Sequence, residues 1–266
     1  MFIARTSHSK GDTLKQCPLK FYLRYYEYIP EEEVNKDALN FGSFIHKILE
    51  DGYQENSLKN LEKLAEQHRA TYKVGKKEKT RTNKCLKNFL RFNEKLGETV
   101  GVEYQFKIDL EEGMAYIGII DRIIKGKDGG YLVIDYKTSK REKSKFDLFN
   151  DPQLQGYAFA ISEIFDVPVK KITCAHYYPV TGNLVTVGYN SSQITNFKKS
   201  KINEFWRVRK MKKEEFAPQA NEFCNWCGYQ KYCPKKTNPG VARCNLQEAK
   251  QLIKESRTSA KRKAPR

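Results

Sequence analysis

Between residues 102 and 137 the chain alternates with period two and folds back on itself through KGKDGG, a block that dictates a sheet at the centre of the fold. VEYQFKIDL puts Val102, Tyr104, Phe106, Ile108 and Leu110 on one face and Glu103, Gln105, Lys107 and Asp109 on the other. MAYIGIIDRII and YLVIDYK follow, and the glycine-rich segment between them is a hairpin signal. On either side the period is helical. A helix is expected over 12–28, capped by Asp12, and another after Asp37 with Phe41, Ile45, Ile48 and Leu49 on one stripe and His46 beside it. Two more fill 57–72 and 82–97. Asp151 and Pro152 open a further helix over DPQLQGYAFAISEIF. VKKITCAHYYP and LVTVGY read as a strand pair around Thr-Gly-Asn, and a basic helix over about 192–216 leads into FCNWCGYQKYCP. This order implies an α/β fold with a mixed central sheet flanked by helices.

The hairpin carries a chemical question. Asp135 and Lys137 share one face of their strand because side chains alternate. If Gly126 pairs with Gly130, Asp121 lies directly opposite Asp135, with Cβ atoms about 4.5–5.5 Å apart. A two-residue Asp-Gly turn would instead send Asp121 to the other face. Facing carboxylates repel unless a cation or proton separates them, so the first register asks for a hard ion such as Mg²⁺ or Mn²⁺. Without it, Asp135 and Lys137 read as an ion pair at a strand end.

The 266 residues suffice for one large domain with appendages. We read residues 1–240 as that domain: a helical part to about 98, a sheet core over 99–190, and a helix with a cysteine cluster over 191–240. Residues 241–266 read as a basic tail. A net charge of +17, spread well beyond that tail, implies a polyanionic partner, nucleic acid before a membrane. No apolar run approaches membrane-spanning length and no secretory leader pattern opens the chain, so a cytoplasmic, nucleic-acid-associated protein is expected. The G-x-x-x-x-G-K-[ST] pattern is absent, which excludes a motor of the phosphate-loop type.

GIIDRII…YLVIDYKTS resembles the core of the PD-(D/E)XK nuclease superfamily, in its RecB-like branch, with Asp121 as the first acidic residue and Asp135-Tyr136-Lys137 as (D/E)-x-K. The proline that names the motif is replaced by Ile120. FGSFIHKILE is similar to the branch's helical histidine motif, VEYQF to the strand before the hairpin, and QLQGY to its Q-x-x-x-Y motif. The resemblance spans roughly residues 5–235. It implies that His46, Asp121, Asp135 and the Tyr136 carbonyl hold Mg²⁺ or Mn²⁺, that Glu103 and Lys137 join the catalytic set, and that Gln153 and Tyr157 place the substrate.

Seven cysteines, an odd number, favour metal ligation over disulfides in a reducing compartment. Cys224, Cys227 and Cys233 are spaced C-x2-C-x5-C and need a fourth ligand. Cys244 is nearest in sequence and would complete a zinc site. The segment around Cys17-Pro18, however, is similar to that of RecB-like nucleases carrying an iron–sulfur cluster, such as the AddB nuclease domain and CRISPR-associated exonucleases. That similarity implies Cys17 as fourth ligand of a four-iron four-sulfur cluster clamping the two ends of the chain. Cys85 and Cys174 lie in apolar contexts and read as inert.

The expected activity is Mg²⁺- or Mn²⁺-dependent exonucleolytic hydrolysis of single-stranded DNA or of DNA ends. A non-catalytic nucleic-acid-binding protein is one alternative. A subunit active only with a helicase, recombination or CRISPR-type partner is another.

Overall fold

The computed structural model describes residues 5–32, 37–111 and 113–233. It contains two compact units, one made of Met1–Lys36 with Asn203–Arg266, the other of Asp37–Ile202.

The first unit begins with strand β1 (Arg5–Thr6) and helices α1 (His8–Gln16) and α2 (Pro18–Tyr25). The single helix expected over 12–28 is therefore two. Pro18 has no N–H to continue α1 and disfavours helical backbone at the residue before it. Cys17 is accordingly extended and serves both as C-cap of α1 and N-cap of α2. The cap of α1 is Ser7, whose Oγ accepts from the Lys10 N–H at 3.2 Å, while Asp12 lies inside the helix and pairs with His8 at 2.9 Å. Leu14 and Phe21 pack with Val208 and Phe216, the rings of Phe21 and Phe216 lying nearly parallel. A second cluster joins Leu19 and Leu23 to Tyr229 and Tyr232, with Cys17, Cys227 and Cys233 against it. The basic helix expected to reach residue 216 ends at Lys210, and Lys213–Glu215 forms a separate 3₁₀ turn closed by the Glu215 carboxylate on the Lys212 N–H.

In the second unit, helices α3 (Asp37–Asp51), α4 (Leu58–Arg69) and α5 (Lys79–Asn93) precede strands β2 (Glu98–Glu111), β3 (Met114–Lys125) and β4 (Tyr131–Tyr136). Short helix α6 (Lys145–Phe149) and α7 (Pro152–Phe165) then cross to β5 (Ile172–Tyr178), followed by β6 (Asn183–Gly188) and by α8 (Ser191–Lys210), which belongs to this unit as far as Ile202. β2, β3 and β4 are antiparallel neighbours, β4 and β5 are parallel, and β6 returns antiparallel to β5. The parallel pair exists because the crossover through α6 and α7 is long enough to bring the chain back in the same direction. Phe44, Ile45 and Ile48 of α3, with Leu86 and Phe89 of α5, cover one face of the sheet against Ile134, Tyr136 and Tyr177. On α7, the carbonyl of Leu154 accepts from the buried Cys174 thiol of β5, and Phe159 packs with Tyr116 and Phe197. No helix among the described residues is long and apolar enough to cross a membrane.

Gly156 decides how closely α7 seats on β3. A Cβ there would lie 2.1 Å from the Tyr116 hydroxyl and 3.0 Å from the Phe197 ring. Gly156→Ala should therefore cost about 1–3 kcal/mol of stability, the usual penalty for overpacking. Tyr116→Phe in the same chain should recover part of it in urea denaturation. A variant as stable as the wild type would show that α7 can shift freely.

Candidate active site

The β3–β4 ladder pairs Arg122 with Ile134 and Lys125 with Tyr131, and the Gly126 N–H donates to the Gly130 carbonyl at 2.8 Å. Gly129 supplies the left-handed backbone of the turn (φ +75°), and Asp128 Oδ1 accepts from the Gly130 N–H. Continued by one step, this register sets Asp121 opposite Asp135. On the other side of β3, Val102 pairs with Arg122 and Tyr104 with Ile120, which sets Glu103 opposite Asp121. Three carboxylates thus stand in a row across three strands. Glu103 holds a left-handed backbone (φ +44°), a conformation costing a non-glycine residue of order 1–3 kcal/mol. The ladder slips between Thr99 and Gly101, so the strand is bent just ahead of it.

His46 reaches this row from α3, its Nδ1 3.5 Å from Asp121 Oδ2 and its Nε2 2.8 Å from the Tyr136 carbonyl. Gly42, one turn earlier, lets α3 approach the chain beyond β4, since a Cβ there would meet Thr138 Oγ1 at 3.3 Å. Asp121 Oδ2 also accepts from the Tyr136 N–H at 2.6 Å. Lys137 Nζ lies 2.6 Å from Asp135 Oδ2 and donates to Gln153 Oε1 at 3.1 Å. Gln153 Nε2 donates to the Tyr157 hydroxyl, which donates in turn to the Ile119 carbonyl at 2.7 Å. The first two turns of α7 therefore tie Lys137 back to β3, two residues from Asp121.

His46, Glu103 and Asp121 each offer a ligand atom within 4.8 Å of the others, the only such set of three among the described residues. Asp135, only 2% exposed, lies beside them, and its Oδ2 has no aligned hydrogen bond despite the nearby ammonium. Burial, then the Asp135 charge, hold the Asp121 carboxyl well above the usual carboxylate range. Burial and Glu50 likewise push Glu103 up. Burial lowers the pKa of His46, which favours the neutral, ligating imidazole. It also opposes the Lys137 charge, but Asp135 outweighs it and raises that pKa. Clustered carboxylates, a neutral imidazole and a backbone carbonyl fit a hard divalent cation.

Residues not singled out from the sequence complete the surroundings. His176 pairs with Asp135 across the parallel ladder, its Nε2 3.6 Å from Asp135 Oδ2 and 3.9 Å from Asp151 Oδ2. Burial lowers its pKa to about 4. Asp151 caps α7 as expected and also pairs with Lys143 at 2.7 Å. Glu50, four residues after His46 on α3, could have been noticed by that spacing. A lone histidine in TCAHYY gave no comparable signal.

In the first unit, Cys17 Sγ accepts from the Lys20 and Gln219 N–H groups at 3.5 Å, and Cys224 Sγ from the Asn221 N–H at 3.3 Å. The four sulfurs of Cys17, Cys224, Cys227 and Cys233 do not form a mutual set within 4.8 Å. Cys85 and Cys174 are buried, and burial pushes the Cys85 thiol up to about 11. Cys244 and the basic tail over 241–266 lie outside the described residues.

No curated protein matches the chain significantly. A solved crystal structure, that of SSO0001, is similar over 83% of this chain and 96% of its own at 18% identity, with a TM-score of 0.36. The sequence model of a nuclease superfamily, by contrast, matches residues 5–234, including every element that builds the carboxylate row. The protein belongs to the PD-(D/E)XK nuclease superfamily.

Proposed function

We propose that the protein hydrolyses DNA phosphodiester bonds with Mg²⁺ or Mn²⁺, as an exonuclease acting on single-stranded DNA or on DNA ends. The observation that carries this reading is the row Glu103, Asp121, Asp135, met on the same face by His46 and Lys137. His46, Asp121, Asp135 and the Tyr136 carbonyl would hold the cation, with Glu103 as a further carboxylate. When bound, the cation supplies Lewis-acid chemistry, acidifying a water and offsetting charge that grows on the phosphate. Lys137 stays charged beside Asp135 and is positioned to orient the attacking water and neutralise the phosphate. Gln153 fixes the ammonium and is itself held by Tyr157, and through it the pair would place the strand being cut. The net charge of +17 supplies phosphate affinity without sequence preference.

Asp135→Ala and Lys137→Ala should each reduce degradation of end-labelled single-stranded DNA by several orders of magnitude. Binding of the same strand in EDTA should persist. Closed circular single strands should resist the wild type if a free end is required. A wild type that binds but never degrades DNA, alone or with a helicase or recombination partner, would leave a binding protein.

The like-charge row yields a second expectation, independent of turnover. The folded-state pKa of Asp121 lies above its unfolded value, so ionised Asp121 destabilises the fold at neutral pH. That penalty fades as the pH falls through the folded pKa and is gone below the unfolded one. In EDTA, Asp121→Asn should therefore raise the Tm near pH 8 and flatten its rise on acidification. Mg²⁺ or Mn²⁺ should raise the Tm of the wild type and much less that of the variant. Equal metal-induced shifts in both would remove Asp121 from the ligand set.

We further infer that Cys17, Cys224, Cys227 and Cys233 hold a four-iron four-sulfur cluster. In support, backbone N–H groups point at two of the sulfurs, and the other two cysteines pack beside Cys17 on one apolar cluster. A tetrahedral zinc site needs its sulfurs about 3.8 Å apart, from Zn–S bonds of about 2.3 Å. Anaerobically purified protein should be brown and contain iron, and Cys17→Ala should lose both iron and stability. Stoichiometric zinc, or dependence on Cys244 in place of Cys17, would overturn the assignment.

A further inference from the structure

Short helix α6 lies in the segment between Lys137 and Gln153, the two residues joined by a hydrogen bond at the heart of the carboxylate site. It exposes two large rings that a water-facing helix has no reason to carry. Phe146 is 76% exposed, more than any other large hydrophobic residue described, and Phe149 is 44% exposed. They are three positions apart and so neighbours on one side of the helix.

The helix beneath them is rigidly built. Ser144 and Asp147 form a reciprocal capping box, and Leu148 between the two rings is fully buried. The Tyr189 hydroxyl donates to the Leu148 carbonyl at 2.6 Å, and the Gln155 amide to that of Phe149 at 3.1 Å. Just before the helix, Lys143 donates its backbone N–H to the Tyr178 hydroxyl and its ammonium to Asp151. Asp151 faces His176, which faces Asp135. The rings are thus presented by a scaffold anchored immediately behind a catalytic carboxylate. Lys140, Arg141 and Lys145 are exposed along the same segment.

We propose that Phe146 and Phe149 form a stacking platform for the unpaired bases of single-stranded DNA entering the carboxylate site, with the exposed cations of 140–145 holding its phosphates. The inference rests on the nuclease reading and deepens it. Bases offer a π-face whatever their identity, so such a platform gives affinity without sequence preference, and paired bases in a duplex would not reach it. The positive charge alone would hold phosphates; the paired rings are what selects an unpaired strand.

The test is read in EDTA, where cleavage plays no part. Single-stranded DNA carrying 2-aminopurine should lose fluorescence on binding the wild type and bind Phe146→Ala/Phe149→Ala about tenfold more weakly without that loss. A strand of the same length with abasic sites should bind wild type and variant equally, whereas Phe146→Trp should keep both affinity and quenching. Circular dichroism of the double variant should match the wild type, since the substituted rings are exposed. Equal binding of base-bearing and abasic strands by the wild type would overturn the platform, as would an unaffected double variant or ring-dependent binding that favours RNA over DNA. Each of these outcomes leaves the nuclease reading standing, while failure of the wild type to cut in Mg²⁺ or Mn²⁺ removes that reading and leaves the binding result intact.

Discussion

Glu103, Asp121 and Asp135 would push one another apart if nothing stood between them, and the architecture around them is arranged to keep them together. Each strand contributes one acid at the same level, which only the observed register allows, because a slip of one residue would turn Asp121 to the opposite face. Partial compensation comes from close by: the Tyr136 N–H on Asp121 and the Lys137 ammonium on Asp135. It is incomplete: burial, and after it the Asp135 charge, still hold the Asp121 carboxyl above the usual carboxylate range. The left-handed backbone of Glu103 adds strain at the same place. Local stability is given up here, and such losses concentrate where a site needs fixed charge.

Much of this was legible because the informative signals are local. Period two marked the strands, and Asp151-Pro152 marked the start of α7. The hairpin offered two registers, and its chemistry chooses between them only in three dimensions. Asp128 turns its side chain back onto the Gly130 N–H while Gly129 takes the left-handed step, making a longer turn in place of a tight Asp-Gly pair. The break at Cys17 was hidden because Leu14 and Phe21 keep a helical spacing of seven across it, although Pro18 carries the physical reason. His176 could not be read at all. Its pairing with Asp135 spans the whole α6–α7 crossover, and nothing in the local pattern reports parallel register. The strain at Glu103 is equally silent, since a glutamate in a strand looks the same at any φ.

The two clusters of potential ligands differ in chemical hardness. Oxygen and one imidazole surround the carboxylate row, a donor set that suits Mg²⁺ or Mn²⁺. The cysteines of the other unit are thiolate donors, which suit iron or zinc and hold hard cations poorly. This difference in donor type would let each set select its own metal by ligand chemistry, without relying on relative affinity. The remaining thiols, Cys85 and Cys174, are removed from this competition by burial, which keeps them protonated.

Lys137 shows why a glutamine and a tyrosine one turn apart belong beside such a site. Its ammonium has two holders, the Asp135 carboxylate and the Gln153 amide. A divalent cation drawn to Asp121 and Asp135 would compete with the ammonium for Asp135. The amide is neutral, so it neither attracts that cation strongly nor adds to the repulsion among the acids. Its own orientation is set from behind, because the Tyr157 hydroxyl accepts from Gln153 Nε2 and donates to the Ile119 carbonyl, leaving Oε1 turned toward Lys137. An acidic residue in place of Gln153 would hold the lysine more tightly but would add a fourth negative charge to a row already short of compensation. The neutral pair keeps Lys137 in position whichever charge Asp135 faces.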